Sequence, residues 1–148
     1  MKYKALILLI ILMLFVTACA SNNETAETIS FTELSEKVAD DVYDVSTKAK
    51  GLDGKRVEMI GYMSPLSPLD TNFFYMIQVP GAICPFCDGA DVDFLQVVQV
   101  YAPNDKKVDF ETHAIKVTGI FEAGEKVDEN NATSIFRLNA EKIEEHKF

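Results

Sequence analysis

The chain has 148 residues, with 14 Lys and Arg against 23 Asp and Glu, a formal net charge of −9. Such a surface repels phosphate backbones and anionic lipid, which argues against nucleic-acid binding and against lying flat on a membrane. Cations or a basic partner surface suit it better.

The N-terminus reads as an address. Lys2 and Lys4 form a short basic leader, and Ala5–Val16 is an apolar run of about a dozen residues, short of the roughly 20 needed to span a bilayer. The junction Val16-Thr17-Ala18-Cys19 then resembles the lipobox of bacterial lipoproteins. That resemblance implies a signal peptide over residues 1–18, diacylglycerol on the Cys19 thiol and further acylation by chains such as palmitate. Several chains on one residue anchor firmly, because each buried methylene adds about 0.8 kcal/mol. The expected location is the extracytoplasmic face of the cell membrane. Cleavage removes two lysines and no acid, taking the formal charge from −9 to about −11. Residues 19–29 read as a lipidated cysteine and flexible tether, small and polar with no apolar period. One domain is expected over residues 30–148, too short to divide in two.

Ser30–Lys50 is predicted as one amphipathic helix. Ser30 and Glu33 make a capping box, and Phe31, Leu34, Val38, Val42 and Val45 recur every three or four residues. Gly51 is its expected stop. Strand patterns follow: "RVEMIGYMS", "NFFYMIQV", "FLQVVQVY", "AIKVTGIF" and "SIFRLNAEKI", separated by the turn-rich "SPLSPLD", "APNDKK" and "AGEKVDENN". The class is therefore mainly β: a small five-stranded OB-like Greek-key barrel preceded by one amphipathic helix. Gly61, inside the first strand, is expected where that strand bends to pair in both halves of the barrel. "APNDKKVDFETH" is short for the helix that usually joins strands three and four, and an open sheet with one covering helix is the alternative arrangement.

"LDGKRVEMIGYMSPLSP", "ICPFC", "VVQVYA" and "IKVTGIF" together resemble a group of uncharacterised bacterial lipoproteins with an OB-like domain. They are also loosely similar to the secreted subunit of a two-component membrane permease. The resemblance implies a tethered accessory domain beside a permease or another membrane protein. It carries over no reaction and no catalytic residue.

Cys84 and Cys87, in Cys-Pro-Phe-Cys, admit three readings. A disulfide staple gains little, roughly 2 kcal/mol, because the loop it closes is so short. Redox exchange favours a thiolate at a helix start, whereas Asp88-Gly89 follows Cys87, and Asp88, Asp91 and Asp93 push a nearby thiol up. Metal binding needs ligands beyond one Cys-x-x-Cys; Asp88, Asp91 and His113 are candidates to complete a zinc set. "DGADVD" lacks the order of an EF-hand loop. "MSPLSPLD" places Met63, Leu66 and Leu69 between prolines, as a recognition loop at the rim or a packed lid. The expected function is a non-enzymatic binding or accessory module, with thiol–disulfide exchange as the alternative.

Overall fold

A computed structural model describes residues 25–80, 94–127 and 133–148. The polypeptide is mainly β. In chain order the elements are β1 (Glu27–Thr28), β2 (Ser35–Ala39), β3 (Val42–Val45), α1 (Thr47–Gly51), β4 (Arg56–Met63), β5 (Phe73–Ile77), β6 (Val98–Tyr101), β7 (Ile115–Val127) and β8 (Thr133–Glu145). All the strands except β2 and β3 belong to one six-stranded sheet. Its order is β1-β4-β5-β6-β8-β7, and an additional β4–β7 pairing returns the sequence of neighbours to β4. The pairings within that cycle are antiparallel except β6 with β8, which is parallel.

β4 is the hinge of this arrangement. Arg56 to Gly61 pair with β7, whereas Tyr62 and Met63 pair with β5. Burial alternates strictly along it, with Val57, Met59, Gly61 and Met63 inward. Gly61 stands where the strand changes partner. A Cβ there would lie 2.7 Å from the Ile77 carbonyl oxygen and 2.8 Å from Phe31 Cε2, so only glycine admits this approach without displacement. Gly61 thus takes a crowded position at a change of pairing partner within β4. The core gathers Met59, Phe74, Met76, Val98, Val100, Phe121, Phe136 and Leu138, with Phe121 and Phe136 stacked at 5.9 Å.

The predicted helix over Ser30–Lys50 does not form. Ser30 is followed by a 3-10 turn at Phe31–Glu33, then the β2–β3 hairpin, and only Thr47–Gly51 is α-helical. The three-to-four spacing that suggested a helix also arises when two short strands fold back on each other. β-branched Val38, Val42 and Val45 favour the strands. Asp41 takes a left-handed φ of 57° at the turn, a conformation Asp tolerates better than most residues. Phe31, Leu34 and Val45 are buried as the stripe implies, but Val38 and Val42 are exposed.

Local capping was legible where helix length was not. The Ser30 backbone amide donates to Glu33 Oε2 at 3.0 Å, and the Ser30 hydroxyl donates to the same oxygen at 2.9 Å. Lys48 Nζ donates to Glu33 Oε1 at 2.6 Å, and this contact first, then Ser30, lowers the Glu33 pKa to about 2. The Ser46 hydroxyl donates to the Glu33 carbonyl at 2.6 Å and accepts from Ala49 N at 2.9 Å, capping α1. Glu36 Oε1 accepts from both the backbone and the hydroxyl of Thr47. These bonds clamp the foot of the hairpin. α1 ends at the expected Gly51, with Leu52 as its C-cap.

Three boundaries differ from expectation. Glu27 and Thr28 pair in parallel with Val57 and Glu58, and Ile29 is buried, so the sheet begins inside the segment read as tether. Polar "NETAET" carries no strand signal; one apolar side chain and a two-residue ladder suffice. β6 is shorter than "FLQVVQVY", because Phe94–Gln96 forms a 3-10 turn. β7 runs on through "EAGEKV", read as a connector, by a register shift between Ala123 and Lys126 with Gly124 at φ 131°. Among the described residues no helix is long and apolar enough to cross a membrane.

Candidate functional site

Cys19, Cys84, Cys87, Asp88 and Asp91 lie outside the described residues. His113 precedes β7, half-exposed, with Nδ1 3.4 Å from Glu111 Oε2. Among the described residues no group of three or more His, Cys, Asp or Glu gathers as a metal-binding set.

The feature that does assemble is an apolar cavity of about 230 Å³ between the β4–β5 loop and the strand-free segment that leads into β7. Met63, Pro65, Ser67, Pro68, Leu69, Phe73, Phe74, Val108 and Phe110 line it. Met63 and Phe74 form its floor, being buried in the core, while Phe110 is half-exposed and Leu69 is 85% exposed. The "MSPLSPLD" loop thus supplies floor and mouth together.

The loop is braced, which gives the cavity a defined shape. Ser64 N donates to the Tyr75 carbonyl at 2.8 Å. The Ser67 hydroxyl donates to the Ser64 carbonyl at 2.7 Å and accepts from Tyr75 N at 3.0 Å. Thr71 Oγ1 donates to the Phe73 carbonyl at 2.8 Å. The second wall is tied to the first: Ala102 N donates to the Asn72 carbonyl at 2.8 Å, and Asn72 Nδ2 donates to Asp105 Oδ1 at 3.0 Å. Glu111 N also reaches the Met63 sulfur at 3.4 Å. Ser67 is the one polar side chain in the lining, and its hydroxyl is already engaged. The cavity therefore suits a mainly apolar group. For scale, an apolar cavity of about 150 Å³ stays dry and accepts benzene.

Val108 and Phe110 were missed by the sequence reading, which treated "APNDKKVDFETH" as a short connector. The available signal was two apolar residues at i and i+2 amid charges, the mark of a segment with one face on a surface.

On the other face of the sheet, register aligns Tyr75, Gln99, Arg137 and Glu122 in one row across β5, β6, β8 and β7. Arg137 is 5% exposed. Its Nε donates to Glu122 Oε2 at 2.8 Å, and its Nη1 donates to the carbonyls of Gly124 at 2.9 Å and Ser134 at 3.1 Å. Asn139 Nδ2 donates to Glu122 Oε1 at 2.8 Å. The bond from Arg137 is the main reason the Glu122 carboxyl is held below its ordinary value. Gln99 is 2% exposed and its Nε2 has no hydrogen-bond partner among the described residues. This row braces the sheet.

No family model matches the chain, and no curated protein matches it. Among solved structures it is similar to a DUF3299 family protein from Pseudomonas aeruginosa PAO1. That likeness has a TM-score of 0.57 at 17% identity, covering 83% of this chain and 97% of the other. At that identity the likeness shows the fold alone.

Proposed function

We propose that the chain is a membrane-anchored extracytoplasmic lipoprotein whose OB-like barrel acts as a non-enzymatic binding or accessory module, beside a permease or another membrane protein. The barrel reading is supported by the cycle β4-β5-β6-β8-β7, by the parallel β6–β8 pair, and by Gly61 at the partner change in β4. The observation that carries the binding reading is the apolar rim cavity, braced by hydrogen bonds and open beside Leu69. Rim loops are where barrels of this type take ligands.

A neutral naphthylamine dye tests it. Its fluorescence should rise and saturate at one site per chain. Val108→Phe, which fills the cavity from its partly buried wall, should weaken that binding at least tenfold without lowering the melting temperature. Equal binding by the variant sinks the assignment.

Cys84 and Cys87 enter this reading as a loop that binds metal, with zinc the candidate, or forms a disulfide. One fractionation experiment addresses anchor and loop together. Wild-type protein should sediment with membranes and, prepared under reducing conditions, carry stoichiometric zinc. Cys19→Ser should move to the soluble fraction, and Cys84→Ser should lose the metal. A soluble wild type removes the anchor, and a metal-free wild type leaves the disulfide.

A further inference from the structure

The β2–β3 hairpin stands apart from the six-stranded sheet as a separate two-stranded ladder. Every residue from 36 to 44 is exposed. Three of them are large and apolar: Val38 at 55%, Val42 at 51% and Tyr43 at 57% exposure. An isolated two-stranded hairpin is marginal in water, and this one is held at its foot by the Ser46–Glu33 and Thr47–Glu36 bonds instead of by burial of its arm. Its outer edges have no pairing partner among the described residues, so backbone donors and acceptors remain for another strand. Tyr43 and Ser35 also wall a cleft of about 370 Å³ between arm and barrel, completed by Phe31, Thr32, Gln78 and Leu95 among others.

Charge selects the occupant. The arm carries Glu36, Asp40, Asp41 and Asp44 against Lys37 alone. Lys37 pairs with Asp40 at 3.2 Å and Lys50 of α1 with Asp44 at 3.0 Å, which leaves Glu36 and Asp41 without an ion-pair partner among the described residues. A second copy would bring the same acids and a formal charge of −9, so self-pairing is opposed. Anionic lipid is repelled for the same reason. We infer that the β2–β3 arm is a docking strand for a basic, apolar protein segment, which adds to its free edge and covers Val42 and Tyr43. Main-chain bonds then supply affinity, and the acids select the partner. The inference does not depend on the rim cavity.

Photo-crosslinking of the full chain in membranes of its host tests this, with Tyr43→benzoylphenylalanine. The expected adduct is with a peptide of net positive charge rich in apolar residues. The yield should fall at least tenfold in Asp40→Lys/Asp41→Asn, with thermal unfolding little changed, because Asp40 is exposed and Asn tolerates the left-handed φ of Asp41. An adduct with a second copy, with lipid or with a non-basic peptide overturns the inference. So does the absence of any protein adduct, or an unchanged yield after charge reversal.

Discussion

Gly119→Ala should destabilise the fold by about 3 kcal/mol or more, and Gly119→Val should leave little folded protein. The residue lies where the β7–β8 register shifts between Thr118 and Gly119. A Cβ built on Gly119 overlaps the Asn139 carbonyl oxygen and comes 2.8 Å from Ala140 Cα. These are backbone atoms of the neighbouring strand, so no rotamer change relieves the clash and the ladder itself must open. Gly51→Ala is the matched control. Nothing lies within 4 Å of its added methyl, and it ends α1, where alanine is worth roughly 0.5–1 kcal/mol over glycine. Denaturant unfolding should therefore move in opposite directions for the two alanines. Equal effects would mean that the β7–β8 contact is not as described.

Arg137→Ala should cost about 3–4 kcal/mol, because it leaves a partly buried carboxylate and the acceptors of Gly124 and Ser134 without their donor. The pH dependence gives a sharper signature. Glu122 is held below its ordinary value when folded, chiefly by Arg137. A depressed carboxyl stabilises the fold above its unfolded pKa, about 4.3, and that contribution fades as pH falls through the folded value. Wild-type stability should thus decline on acidification below about pH 4.5, and the decline should be shallower in Arg137→Ala. Glu33, Asp44 and Glu144 are lowered by other partners, so they contribute equally to both proteins and cancel in the comparison. Parallel acid profiles would show that the Arg137–Glu122 contact contributes nothing.

The strands of the main sheet were legible because burial on one face imposes a period of two. β4 alternates over its whole length, and its glycine marked the change of partner before any geometry was known. The N-terminal third was not, because Phe31, Leu34, Val38, Val42 and Val45 fit a helical stripe and a hairpin equally well in one dimension. What separates them is the Asp40–Asp41 turn and the β-branched valines, both local and both weak. β7 was cut short because its end, from Glu125 to Val127, is exposed and no burial enforces a pattern there. The rim loop was recognised from its prolines and leucines. Its opposite wall, Val108 and Phe110, was not, since a cavity joins segments that sequence keeps some forty residues apart. The Cys84–Cys87 loop lies outside the described residues and keeps its sequence-based readings.

A methyl-resolved NMR titration with the neutral naphthylamine dye tests the binding reading most directly. Met63, Leu66, Leu69 and Val108 should shift together and saturate at one equivalent, while Leu34, Val38 and Val42 stay still. Shifts centred on the hairpin or on the outer face of β6 and β8, or no saturable shift at all, would contradict a ligand site at the first connecting loop.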